Sequence, residues 1–172
     1  MANERCQHIS HFLFFFHHLG GTMNFQLVFT RRFSMAHRLI SGCSEKCAIP
    51  HGHNEFVKVY IEAKNPSALD HDANMVEVFA KAKKTWHHFI DEKIDHALQL
   101  SDKDPLISFF QEHEPHRLER IVVTPGDPTT EMMCACLMSK LQAILDAEGG
   151  NLQCTKLELE ETPTNTVIIE GI

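Results

Sequence analysis

Positive charge is scarce in this chain: 16 Lys and Arg face 23 Asp and Glu, a formal net charge of −7 over 172 residues. A sequence-independent grip on nucleic acid needs a basic face, so a nucleic-acid partner is not expected, although a local basic cluster would suffice for an anionic small molecule. Long apolar runs are also missing. The run FLFFF at residues 12–16 cannot span a bilayer. It is short for the core of a signal peptide, and only Arg5 supplies positive charge before it. No membrane partner is expected. Repeats and long linkers are absent. The cysteines (Cys6, Cys43, Cys47, Cys134, Cys136 and Cys154) are scattered through a mid-sized chain, which excludes a disulfide framework and suits a reduced, cytoplasmic setting. What is present is ordinary for one soluble domain: 43% hydrophobic and 23% charged residues, enough for a real core. The 13 histidines exceed what one metal centre uses, so spacing has to decide which of them matter.

Residues 1–22 read as an N-terminal extension ended by Gly20-Gly21, and residues 23–172 as the folded domain. FQLVFTRRFSMAHRL puts Phe25, Leu27, Phe29, Phe33, Met35 and His37 on one parity, the period-2 mark of a half-buried strand. Residues 40–50 read as a loop. HGHNEFVKVYIEA is a second strand, with His51, His53, Val57, Val59, Ile61 and Ala63 on one parity and Lys58 and Glu62 on the other. An amphipathic helix over roughly 75–93 follows, carried by Val76, Phe79, Ala82, Trp86, Phe89 and Ile90. DHALQL reads as a short turn or helix before a polar loop, and residues 117–123 as a short strand. PTTEMMCACLMSKLQAILDAEGG is a second helix, N-capped by Thr129 or Thr130 and ended by Gly149-Gly150. TKLELEET and NTVIIEG are two last strands joined around Pro163–Asn165. The order is that of an α+β domain with an antiparallel sheet and helices on one face.

His37 lies at the end of strand one, and His51 and His53 open strand two, all on apolar parities. Residues i and i+2 of a strand point the same way, and an antiparallel partner brings His37 opposite them. Three imidazoles on one face form the ligand set of a catalytic zinc with one position left open. A rival set, Cys43, Cys47, His51 and His53, would make a closed structural site. An Asp70-His71-Asp72 cluster reads as a solvated turn, and His17-His18 and His87-His88 as surface residues. Cys134 and Cys136 read as core. Taken alone, Cys47 reads equally as a plain loop thiol, Asp95-His96 as a helix C-terminal cap, Thr129-Thr130-Glu131 as a helix start, and Glu160-Glu161 as a solvated strand edge.

In order along the chain, F-x-M-A-H (Phe33 to His37), C-x3-H-G-H (Cys47 to His53), I-D-H (Ile94 to His96), P-T-T-E (Pro128 to Glu131) and E-T (Glu161-Thr162) resemble the motifs of the 6-pyruvoyl tetrahydropterin synthase family. The three-residue gap between the cysteine and HGH resembles its bacterial branch, the 6-carboxytetrahydropterin synthases of the queuosine pathway. The resemblance covers roughly residues 24–171. It implies a T-fold, ββααββ, assembled as trimers stacked into hexamers with active sites at subunit interfaces. It implies Zn2+ on His37, His51 and His53, a catalytic thiol at Cys47 and a catalytic dyad at Asp95 and His96. It also implies a pterin-anchoring carboxylate at Glu161, with Thr129, Thr130 and Glu131 near the ring. The implied reaction turns 7,8-dihydroneopterin triphosphate into a 6-carboxy pterin with loss of acetaldehyde and triphosphate. Where members often carry an acid or amide after M-V-x this chain has Val78, a change expected to concern helix packing, and the 40–50 loop holds the additional Cys43.

Overall fold

The computed structural model describes residues 24–42, 44–65 and 75–171. The N-terminal extension with FLFFF and His17-His18, Cys6, Cys43 and Asp70-His71-Asp72 lie outside the described residues. The first strand, β1 (Gln26–His37), alternates as its sequence predicts, with Leu27, Phe29, Phe33, Met35 and His37 buried. One helical turn, α1 (Glu45–Ala48), interrupts the expected loop and is N-capped by Ser44. β2 (His51–Ala63) then returns antiparallel to β1 in a register that pairs Met35 with His53 and His37 with His51.

The helix expected over 75–93 is shorter at its start. α2 (Phe79–Phe89) runs into a π-turn (Ile90–Ile94), and Ala82, Trp86, Ile90 and Ile94 face the core. Val78 occupies the N-cap, half exposed and with no side-chain cap bond. Its departure from the family pattern is therefore a missing cap and not a packing change. Val78→Asp should stabilise the fold by about 1 kcal/mol. Equilibrium unfolding in urea tests this, and an unchanged midpoint would rule the cap out.

DHALQL is a strand and not a turn or helix: β3 (Ala97–Ser101) pairs parallel with β1. The expected polar loop contains α3 (Leu106–His113). A 3-10 helix (Pro115–Arg120) takes the first half of the strand expected at 117–123, leaving β4 (Ile121–Thr124) parallel to β3. Pro115 opens that helix, where its missing N–H costs nothing. The second long helix, α4 (Thr130–Ala147), begins at the Thr129 cap, whose hydroxyl accepts from the Met132 amide at 3.3 Å. It ends at Gly149 and Gly150, both at positive φ, a conformation glycine adopts without Cβ strain. β5 (Leu152–Thr162) and β6 (Asn165–Glu170) close the sheet.

The strand order is β4-β3-β1-β2-β5-β6. The expected antiparallel sheet is its four-strand part, β1, β2, β5 and β6. Two short parallel strands extend it beyond β1. One face is covered by α2 and α4: Phe29, Phe33, Val57, Val59, Ile61, Leu157 and Leu159 meet Trp86, Met133, Leu137 and Leu141 in a single core. On the other face Val28, Phe56 and Ile168 remain exposed. Among the described residues no helix is long and apolar enough to cross a membrane.

Candidate metal centre and active site

The β1–β2 register brings the three predicted histidines together. The ligand nitrogens of His37, His51 and His53 all lie within 4.8 Å of one another. His37 Nδ1 is 2.9 Å from the Pro128 carbonyl, and His51 Nδ1 is 2.9 Å from that of Ile49. A carbonyl oxygen only accepts, so each Nδ1 carries the proton and each Nε2 presents a lone pair. Those two Nε2 atoms stand 3.2 Å apart. Two facing lone pairs repel unless a cation lies between them. Nitrogens around a tetrahedral ion at about 2.0–2.1 Å would stand about 3.3–3.4 Å apart, so the donors fit a divalent metal. Burial lowers the pKa of His37; the Pro128 carbonyl opposes this, and His51 and His53 reinforce it. The neutral, ligating form of His37 is thereby favoured.

Gly52 separates the two histidines of β2 for a steric reason. A Cβ there would sit 2.6 Å from the Met35 carbonyl oxygen. Gly52→Ala must push β1 and β2 apart at the Ala36–Gly52 pair, between the rows that place His37 opposite His51 and Met35 opposite His53. The expected result is a loss of about 1–3 kcal/mol of stability together with weaker metal binding. Unfolding and metal titration report the two effects; unchanged metal affinity would refute this account of the glycine.

Cys47 sits in α1, half-buried. Its amide donates to Ser44 Oγ at 3.1 Å, and the Ser44 hydroxyl lies 3.0 Å from its sulfur as donor. The Leu39 amide donates to the Cys47 carbonyl at 2.8 Å, tying the thiol's turn to the chain just after β1. Cys47 is not among the groups that converge with the three histidines. Cys43, needed for the rival closed site, lies outside the described residues.

Asp95 and His96 stand between the π-turn and β3. The Ser34 amide donates to Asp95 Oδ1 at 2.7 Å, and the His96 amide donates to the Ser34 carbonyl at 2.7 Å. Asp95 does terminate the helix, its amide bonding the Ile90 carbonyl. Its side chain, however, faces β1 and His96. The Ser34 amide holds the Asp95 carboxyl below the usual carboxylate range; burial opposes it, and His96 and the Arg31 charge reinforce it. His96 Nδ1 is 2.8 Å from Asp95 Oδ2, which places the proton on Nδ1 and leaves Nε2 free. His96 adopts φ 60, a conformation costing a non-glycine residue about 1–3 kcal/mol. Its side chain is 77% exposed on the protomer.

At the start of α4, the Thr130 hydroxyl donates to Glu161 Oε1 at 2.8 Å. Glu161 lies where the β5–β6 register shifts, and such bulges re-aim side chains. Its bond to Thr130, the first residue of α4, turns it toward the helix-covered side, so it is not a solvated edge. Thr129 caps α4, and Glu131 in the first turn is exposed and takes part in none of these contacts.

The sequence profile of the 6-pyruvoyl tetrahydropterin synthase family matches residues 26–171. The chain belongs to this enzyme family. Among its relatives is a 6-carboxy-5,6,7,8-tetrahydropterin synthase of Rickettsia bellii, 32% identical over 136 residues, which span 78% of this chain and 93% of the relative. A probable 6-carboxy-5,6,7,8-tetrahydropterin synthase of Halobacterium salinarum is 31% identical over 135 residues, 78% of this chain and 79% of the relative. Among solved structures, an uncharacterised protein of Wolinella succinogenes superposes with a TM-score of 0.70 at 21% identity, covering 87% of this chain and 99% of its own. The Caenorhabditis elegans 6-pyruvoyl tetrahydropterin synthase gives 0.59 at 25% identity, covering 87% and 97%. The fold is the T-fold that the motifs implied.

Four polar residues of this family member were not singled out from its sequence. Asp104, fully buried, receives a bidentate pair from Arg38, with Nε at 2.6 Å. Burial raises its pKa, but the guanidinium and the Leu106 amide outweigh this and keep it below the usual range. The pair fixes the chain directly after His37. Asp127 accepts from the amides of Ile40 and Ser41 at 3.0 and 2.8 Å, so the segment 127–130 touches the loop bearing Cys47, His37 and Glu161 in turn. Gln99 is wholly buried beside His37 in the β1–β3 register, and neither amide atom has a partner among the described residues. Glu55 is 1% exposed, and burial together with the Glu161 charge raises its pKa to about 8. The signal for Glu55 was an acid within the apolar parity of strand two. The others depend on which distant segment arrives beside them.

Proposed function

We propose that this chain is a zinc-dependent carbon–carbon lyase that converts 7,8-dihydroneopterin triphosphate and one water into 6-carboxy-5,6,7,8-tetrahydropterin, acetaldehyde and triphosphate, in queuosine biosynthesis. The observation that carries this reading is the convergence of His37, His51 and His53 on the sheet face that also bears Glu161. The relatives named 6-carboxy-5,6,7,8-tetrahydropterin synthase favour this outcome over the 6-pyruvoyl one. Bound zinc supplies Lewis acidity toward the side-chain hydroxyl groups of the substrate.

The remaining work falls to the chain's own residues. Glu161, held by the Thr130 hydroxyl, accepts two hydrogen bonds from the amino-pyrimidine edge and sets the orientation of the ring. Thr129 and Glu131 frame that end of the site from the first turn of α4. Cys47, as thiolate, moves a proton on a side-chain carbon. Asp95 keeps His96 in the tautomer with a free Nε2, which serves a second proton transfer. The protomers assemble as trimers stacked into hexamers with interfacial sites. The outward-facing Val28, Phe56 and Ile168 and the outer edges of β4 and β6, which no other described strand pairs, support this, as does a His96 ring left largely exposed on one protomer. The setting is cytoplasmic.

Product analysis tests the reading. Zinc-loaded protein incubated with 7,8-dihydroneopterin triphosphate should release trapped acetaldehyde and a 6-carboxy pterin detected by mass spectrometry. A 6-pyruvoyl pterin without acetaldehyde would assign the other reaction of the family. Zinc binding with no turnover would leave a non-catalytic, zinc-stabilised pterin-binding oligomer.

A further inference from the structure

One acid on the inner face has no role in the site as described. Glu55 follows His53 by two residues and precedes Val57 by two, so all three point to the same side of β2. It pairs with Phe33 across the β1–β2 register. On its other side, the last β2–β5 pair is Phe56 with Glu160, which puts Glu55 and Glu161 at the next level. Glu55 Oε2 is buried and has no hydrogen-bond partner among the described residues. The neighbours along its row, Val57, Val59 and Ile61, are fully buried aliphatics. An apolar residue in this place would pack without leaving an oxygen unsatisfied, so the protein alone gives no reason for an acid here.

The position supplies a reason. Glu55 is the next residue after the metal-ligating His53 on its face of β2 and stands beside the Glu161 anchor of β5. A pterin held at Glu161, with its side chain reaching the histidines, would pass beside Glu55 with its pyrazine ring. That ring differs between oxidation states in its hydrogen-bond donors: a 7,8-dihydropterin has an N8–H, and the fully oxidised pterin has a bare N8. An oxygen of Glu55 accepts a hydrogen bond whether the carboxyl is protonated or ionised. We propose that Glu55 is a specificity-determining substrate contact that accepts from the ring N–H of reduced pterins and so selects them over oxidised ones.

This inference rests on the pterin reading given above, and the test separates the two. Binding of 7,8-dihydroneopterin and of oxidised neopterin to the zinc-loaded full chain is measured by calorimetry, for the wild type, Glu55→Met and Glu55→Gln. The wild type should bind the dihydro form at least about tenfold more tightly, the scale of one hydrogen bond to a buried acceptor. Glu55→Met, of similar length and without an acceptor, should bring the two affinities within about threefold while raising the melting temperature. Glu55→Gln keeps a carbonyl acceptor and should retain most of the preference. A wild type that binds both ligands equally would overturn the contact, even if Glu55→Met does not fold. A preference kept in Glu55→Met would overturn it as well. A wild type that binds neither ligand would overturn the pterin reading together with the contact.

Discussion

Replacing Cys47 by alanine should lower turnover by about 10²–10⁴-fold, the range for loss of a positioned proton-transfer group, with metal content and the unfolding transition unchanged. The structural basis for this separation is local. Cys47 packs in a four-residue turn capped by Ser44, and its backbone, not its sulfur, ties the loop to Leu39. Alanine keeps both backbone contacts and favours the helical turn. The thiol also stands apart from the three convergent nitrogens, so its removal takes no ligand from the metal. Steady-state kinetics with metal analysis on the same sample decides the matter. Loss of zinc and of stability together in Cys47→Ala would mean that the sulfur is a ligand, as in the closed cysteine–histidine site, and would remove it from the proton-transfer role.

His37→Ala should have the opposite signature: metal lost first, with activity following. His37 is the buried member of the triad, 2% exposed, and its ring is held from behind by the Pro128 carbonyl. Outer-shell substitutions alone can weaken a metal site by about 10–100-fold, so deletion of a ligand should exceed that range. The substitution also leaves the Pro128 carbonyl without its donor and opens a cavity beside Gln99, for about 2–4 kcal/mol of destabilisation. His96→Ala is the control. It removes an exposed ring outside the triad and should abolish turnover while the metal is retained. Metal titration of the two variants discriminates them; zinc retained at full affinity in His37→Ala would refute the three-histidine centre.

Much of the site was legible because it is written in short-range periodicity. Alternation along FQLVFTRRFSMAH and HGHNEFVKVYIEA put His37, His51 and His53 on apolar parities, and the antiparallel return of a neighbouring strand did the rest. The Thr129 cap and the Gly149-Gly150 stop were equally local, and α4 begins and ends at them. The errors fell where a segment's state depends on a partner far along the chain. Ala97–Ser101 has five residues and no clear period. It becomes a strand because β1 offers it a parallel edge, which a reading of neighbours cannot detect. The same pairing hangs Asp95 and His96 on Ser34 and turns what reads as a helix end into a carboxylate–imidazole pair.

By itself, then, the sequence determined that three histidines share one face, the two strands that carry them, the glycine between two of them and the capped helix α4. Each of these follows from contacts between residues close in the chain or in directly adjacent strands. Only the tertiary structure decided that Pro128 orients His37, that Asp127 clasps the Cys47 loop, that Thr130 holds Glu161, and that Glu55 is buried beside it. These are contacts over tens of residues, and they form once α4 has docked on the sheet and burial has removed the water that would otherwise satisfy each group.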